Sequence, residues 1–218
     1  MLWTDRGCRK FIKTNYPGFL KLYDAYDAQI KRVDAFRYFL LHHYGGLYVD
    51  IDFECLKPFD ALVTMESNCI LGLEPALHAE RLYNKKPLVC NAIMASPAKH
   101  RFWKHVFGTL INCKHKKDVL DATGPAMLAK ALDGYPRKDV TLFPDSMFYP
   151  LVDMSNIALA LTPAELKYYA DMLKNRSFPV ESYAVHHWAG TWYSKGVGVC
   201  LERVFTKLKA RMNRLLTS

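Results

Sequence analysis

Between Val33 and Tyr44 the apolar residues Val33, Phe36, Leu40, Leu41 and Tyr44 recur at helical steps, which predicts a helix with one apolar face. On that helix Asp34 and Arg37 stand three apart and are surface neighbours. Gly45 and Gly46 follow where a left-handed helix stop and a tight turn are needed. Leu47, Tyr48 and Val49 then form a short apolar run, expected as a strand buried on both faces. Further strands are predicted at Ile70–Leu73, Val140–Phe143 and Tyr183–Val185, Val89–Ala95 is an apolar run, and Leu2 and Trp3 are read as the end of another strand. Helices are predicted after Asp5 as cap, over Pro97–Ile111 with Phe102, Trp103, Val106, Phe107 and Leu110 inward, over Ala126–Leu132, and over Thr162–Leu173 with Thr162 as cap. Strands alternating with helices place the chain in the α/β class.

Composition sharpens this picture in two ways. Half of the 218 residues are apolar and 13% aromatic, which is the composition of a folded domain, and neither a repeat nor a linker divides the chain. One domain over 1–218 is therefore expected. No apolar run is long enough to span a bilayer and no signal-peptide pattern opens the chain, so a soluble domain is expected, cytoplasmic or luminal. The six cysteines show no CxxC spacing, which argues against a zinc site. The net charge is +9, without a nucleic-acid motif, and Arg203, Lys207, Lys209, Arg211 and Arg214 concentrate it near the C-terminus. Val199–Leu216 reads as a basic amphipathic helix, either packed with a solvated basic face or lying on an anionic membrane surface.

The candidate chemistry sits after the Leu47–Val49 strand. Asp50 and Asp52 flank Ile51, and in an extended segment residues two apart point to one side. A pair of carboxylates beyond a strand's carboxyl end suits Mg²⁺ or Mn²⁺, which takes oxygen ligands and offsets charge on a phosphate leaving group. Asn91 is a lone polar residue in the apolar run Val89–Ala95, either a satisfied core amide or a ligand contact. His186 and His187 follow a strand-like run, and imidazole suits Mn²⁺ beside carboxylates.

Together, Asp34-x-x-Arg37 and Tyr44-Gly45-Gly46-x-Tyr48-x-Asp50-x-Asp52 resemble the sugar-binding region of DXD-motif glycosyltransferases. The chain is most similar to glycosyltransferase family 32, which includes fungal α-mannosyltransferases, and the glucosylating clostridial toxins carry a similar core. The resemblance implies a GT-A fold with a Rossmann-like mixed sheet flanked by helices, a UDP- or GDP-sugar donor, Mn²⁺ or Mg²⁺, retention of configuration, and a hydroxyl of a glycan, glycolipid or protein as acceptor. It implies Asp50 and Asp52 as metal ligands, with His187 as a third by its spacing to Gly190. It places Asp34, Arg37, Asp50 and Asn91 at the donor, with Asp50, Asp52 and Arg37 carrying catalysis. Thr123 and Gly124 line the site in this reading. Trp192 lies where relatives cover the diphosphate, and Lys195 nearby is either a phosphate contact or a solvated lysine. His186 is then the packing residue. Relatives begin with an Ile-Pro-Lys-Ile-Ile-His-like first strand, and this sequence opens without one: either it starts late within a longer protein, or the protein is a compact version with a trimmed nucleotide pocket. Two other readings remain: a nucleotide-sugar-binding module without turnover, and a metal-dependent phosphoesterase, which lacks the further carboxylates of a two-metal site.

Overall fold

The computed structural model describes residues 3–63, 68–83 and 88–190. They form two compact units. The first comprises Met1–Asp50, Phe59–Leu73 and Leu88–Phe143, the second Ile51–Pro58, Glu74–Pro87 and Pro144–Ser218. Among the described residues no helix is long and apolar enough to cross a membrane. The C-terminal helix expected over Val199–Leu216 lies outside them.

The first unit is a four-stranded mixed sheet flanked by helices, the α/β architecture that the apolar pattern predicts. Its strands are β1 Gly46–Val49, β3 Cys69–Leu73, β4 Val89–Ser96 and β5 Val140–Phe143, in the order β1-β4-β3-β5. β4 runs antiparallel to β1 and β3, and β3 runs parallel to β5. β4 lies between two neighbours and every one of its residues is buried. The helices Gln29–Tyr44, Arg101–Cys113 and Pro125–Asp133 bring Tyr38, Phe39, Trp103, Leu110 and Leu128 into the same core. The opening helix, Asp5–Asn15, starts one residue earlier than expected: Thr4 is the cap, its hydroxyl accepting from Gly7 N–H at 3.2 Å. Trp3 belongs to no strand and packs on Phe11 and Phe36.

Two expectations for the Gln29–Tyr44 helix and the strand after it are corrected. Val33 and Tyr44 are exposed at 39% and 56%, while Asp34 and Arg37 are buried. The helix therefore turns polar residues inward, against its hydrophobic pattern, for reasons given by the site below. β1 is not buried on both faces: Leu47 is 41% exposed, and among the described residues β1 is an edge strand paired with β4 alone. The helix stop is as expected, with Gly45 at φ +67° and Gly46 at φ +90°. A Cβ on Gly45 would lie 2.5 Å from Ala98 N and 2.8 Å from Ser96 O, so close approach as well as conformation requires glycine there.

The second unit has a two-stranded antiparallel ladder of β2 Phe53–Cys55 and β6 Ala184–His186, pairing Phe53 with His186 and Glu54 with Val185. β2 has too few residues to announce itself by alternation and was not predicted. The helix Pro163–Asn175 begins with a full capping box: Thr162 accepts from Glu165 N–H, and the Glu165 carboxylate accepts from Thr162 N–H at 2.7 Å. Leu151, Met172 and Val185 form one apolar cluster of this unit, and Val152, Ile157, Leu161 and Leu166 another.

Candidate active site

In the first unit Arg37 is the centre of a buried polar network. The helix carries Asp34 and Arg37 one turn apart, and their side chains pair at 2.8 Å with only 7% and 4% of each exposed. Arg37 Nη1 also reaches Asp50 at 3.1 Å and donates to the Asn91 carbonyl at 2.8 Å. The guanidinium lies 4.7 Å over the ring of Tyr48, whose hydroxyl donates to Asp50 at 2.6 Å. Asp34 accepts in addition from Asn91 Nδ2 and Thr123 Oγ1, each at 3.2 Å, and Tyr38 donates to the Thr123 carbonyl at 2.7 Å. The sheet prepares this arrangement. The register of β3 against β4 shifts between Leu71 and Gly72, so Leu71 faces Met94 while Gly72 faces Cys90. The Asn91 carbonyl lies within that irregularity and is taken by Arg37.

Burial pushes the Asp34 carboxyl above the ordinary carboxylate range, and the Arg37 charge with the Thr123 and Asn91 donors pulls it back. Burial acts against the charge of Arg37 as well, but Asp34, Tyr48 and Asp50 outweigh it and the guanidinium is held more firmly than an exposed one. A buried ion pair of this kind is costly to form and more costly to break, because removing one partner strands the other charge away from water. Among the described residues, Arg37 Nε is buried without a hydrogen-bond partner. The Asn91 side chain is thus a satisfied amide, bonded to Asp34 and Tyr38.

In the second unit Asp52 is held by β6 and the residues after it. Ile51 and Asp52 form a turn, so the alternation expected of an extended Asp-Ile-Asp does not apply. Ile51 is 97% exposed at its tip. Asp52 Oδ1 lies 3.1 Å from His186 Nε2, and Oδ2 accepts from Ala189 N–H at 3.0 Å. Burial would raise the Asp52 carboxyl, but the bond and charge of His186 and the Ala189 N–H outweigh it and hold Asp52 below the usual range. His186 is buried among Phe53, Tyr149 and Trp188, with ring centroids 4.5, 5.7 and 4.2 Å away, and its buried Nδ1 has no hydrogen-bond partner among the described residues. His187 turns the other way: its Nε2 is 3.1 Å from Glu54, which also pairs with Arg176. Strand alternation separates these two histidines as the sequence predicts. It is His186, read from sequence as the packing residue, that meets Asp52.

Of the residues expected at the site, Asp34, Arg37, Asp50 and Asn91 are brought together in the first unit, with Tyr38, Tyr48 and Thr123 added to them. Asp52 stands with His186 in the second unit, and His187 with Glu54. Trp192 and Lys195 lie outside the described residues. Thr123 was expected as lining but is fully buried, bonding Asp34 from behind. Gly124 has no room for a side chain, since a Cβ there would lie 2.9 Å from Leu120 Cα.

Residues 1–69 match the family described as glycosyltransferase sugar-binding region containing DXD motif. The mannosyl phosphorylinositol ceramide synthase CSH1 of Saccharomyces cerevisiae is 34% identical over 146 residues, 63% of this chain and 35% of that protein. The inositol phosphoceramide mannosyltransferase 1 of Schizosaccharomyces pombe is 29% identical over 156 residues, 68% of this chain and 46% of that protein. The chain thus spans less than half the length of these curated relatives. The solved PaToxG glycosyltransferase aligns at a TM-score of 0.41 and 21% identity, over 58% of this chain and 47% of that one.

Proposed function

From a chain whose first 69 residues carry a DXD glycosyltransferase sugar-binding region, we propose a GT-A-type glycosyltransferase over 1–218 that moves a sugar from a UDP- or GDP-linked donor to a hydroxyl acceptor. The observation that supports this reading best is Arg37, held between Asp34 and Asp50 at the end of β1. By likeness to the ceramide mannosyltransferases, the sugar is mannose and the acceptor the headgroup of an inositol phosphate lipid.

A hard divalent cation fits the side chains present. Asp52 is kept ionised, and an imidazole stands beside it. In this proposal Asp52 and His186 of the second unit hold Mn²⁺ or Mg²⁺, His186 in preference to His187, whose ring is engaged by Glu54, and Asp50 is a ligand by the family resemblance alone. When bound, the cation offsets the charge that develops on the diphosphate. Asp34 binds hydroxyls of the donor sugar, and Asn91 keeps the Asp34 carboxylate oriented. Arg37 supplies a fixed positive charge at the phosphate side, where an electrostatic contact that needs no reorganisation counts most. Tyr48 orients Asp50 through its hydroxyl. Trp192 covers the diphosphate in this proposal by the family resemblance, and Lys195, close to it in sequence, meets a phosphate. The bond from the anomeric carbon to the diphosphate oxygen breaks, the acceptor oxygen bonds that carbon on the same face, and its proton passes to the departing phosphate. Retention follows from this same-face attack.

The test is a binding panel of UDP- and GDP-sugars with and without Mn²⁺, on the wild type and Asp52→Ala. Ligand binding to the native state alone raises stability by about 2.7 kcal/mol at a hundredfold excess over Kd. One nucleotide series is expected to stabilise the protein with Mn²⁺ present, and Asp52→Ala to abolish the effect. If neither series binds under any condition, the proposal fails.

A further inference from the structure

The second unit holds a buried polar pair that no step above uses. Glu74 and His78 lie one turn apart, with 6% and 2% of their side chains exposed, and Glu74 Oε2 is 3.3 Å from His78 Nδ1. His78 Nε2 accepts from Asp153 N–H at 2.8 Å. That bond places the ring proton on Nδ1, where it is donated to Glu74, so the imidazole is fixed at both ends. The edge of this ring meets Trp188, with centroids 4.7 Å apart and planes 70° apart. Trp188 in turn packs on His186 at 4.2 Å and on Tyr149 at 5.8 Å, and its indole N–H donates to the Leu151 carbonyl at 2.8 Å.

Trp188 is also strained. Its φ of +50° is a left-handed conformation that a bulky side chain rarely adopts. Such a residue persists where its surroundings over-determine it, and here the contacts of the indole do so. The consequence of the turn is local: the next residue, Ala189, directs its N–H at Asp52 Oδ2, 3.0 Å away. A chain of fixed contacts therefore runs from Glu74 through His78 and Trp188 to both groups that hold Asp52, the His186 ring and the Ala189 N–H.

We propose that Glu74 and His78 are positioning residues for Asp52 and His186, acting through the strained Trp188. The placement stands on geometry within this unit. Its consequence for metal binding rests on the assignment of Asp52 and His186 proposed above. Partners that orient metal-binding groups in this way typically change metal affinity 10–100-fold when lost.

Hydrogen exchange on the full chain, compared among wild type, Glu74→Leu and Glu74→Gln, tests the placement without metal. Glu74→Leu removes the acceptor of His78 Nδ1–H, whereas the amide oxygen of Glu74→Gln restores one. In Glu74→Leu, exchange of the Ala189 amide and the Trp188 indole is expected to rise about tenfold relative to the amides of the Pro163–Asn175 helix, and Glu74→Gln to reverse most of the rise. If both sites change only in step with that helix, the pair is structural and the proposal is overturned. Should Glu74→Leu not fold, His78→Phe keeps the ring against Trp188, drops both hydrogen bonds, and is held to the same outcomes. Titration of the same proteins with Mn²⁺ is expected to show about tenfold weaker binding in Glu74→Leu, with recovery in Glu74→Gln. A wild type that binds no Mn²⁺ refutes the metal assignment of Asp52 and His186, while the exchange result still decides the placement.

Discussion

Arg37 illustrates how much one residue can be asked to do. Its two Nη atoms serve Asp34, Asp50 and the Asn91 carbonyl, with a ring face beneath. Arg37→Met should therefore cost about 3–5 kcal/mol in denaturant unfolding, because Asp34 is left as a buried charge without its counter-ion. The double change Arg37→Met with Asp34→Asn should cost clearly less than the sum of the two single changes, since it removes both charges. Additive costs would show that the pair contributes nothing as a pair. The types and spacing of Asp34 and Arg37 were legible in the sequence, and their burial was not. A hydrophobic pattern assigns charged positions to the outer face of a helix, and only their mutual neutralisation allows them inside. The choice between His186 and His187 was equally hidden. Alternation says that adjacent residues face opposite ways, but not which of the two faces meets Asp52.

Elements were read well where their signals are chemical and poorly where pairing decides. The Thr162–Glu165 capping box sets the start of the Pro163–Asn175 helix, as the Thr162-Pro163 pair predicts. Thr162→Ala should lower stability by about 1 kcal/mol in urea unfolding, with Thr162→Ser close to wild type. At the other end of the Gln29–Tyr44 helix, His42 gives the chain a pH dependence. Its ring is packed against Phe107 and bonded to the Tyr16 hydroxyl at 2.7 Å. Burial first, and then Lys99, Lys104 and His43, push its pKa down to about 4. The unfolded chain therefore takes up this proton at a higher pH than the folded one, and stability falls as pH drops from above 6.5 towards 4. The ceiling is about 3 kcal/mol, and solvent screening brings the expected loss to about 1–2 kcal/mol. Unfolding of His42→Gln followed over the same pH range should show a flatter slope, and an unchanged slope would assign the acid sensitivity to another group. Leu47 shows the opposite case, where an apolar run was read as a doubly buried strand and the order β1-β4-β3-β5 leaves it at an edge.

At the scale of the whole molecule, the conditions that move Asp52 matter most for the proposed function. Its carboxyl is held below the ordinary range, so the stability it contributes is complete above the unfolded value, about 3.9, and is lost as pH falls through the lower folded one. Mn²⁺ binding requires its ligands deprotonated, so affinity measured by calorimetry should fall as pH decreases. Affinity independent of pH would argue against metal binding at these side chains. Adding a chelator to the donor-binding assay should remove the donor-dependent stabilisation in wild type and leave Asp52→Ala, already without it, unchanged.

The sequence by itself determined the α/β class, the double-glycine stop whose φ values glycine alone accepts readily, the strands at Ile70 and Val140, and the residue types Asp34, Arg37, Asp50 and Asp52. These follow from local rules: side-chain periodicity, capping chemistry and backbone sterics. What only the tertiary structure decided depends on partners distant in sequence. The register shift that frees the Asn91 carbonyl for Arg37, the edge position of β1, the short β2 that draws His186 to Asp52, and the strained Trp188 between two histidines are of this kind. Strand pairing and burial are properties of the packed chain, and no window of the sequence contains both members of those contacts.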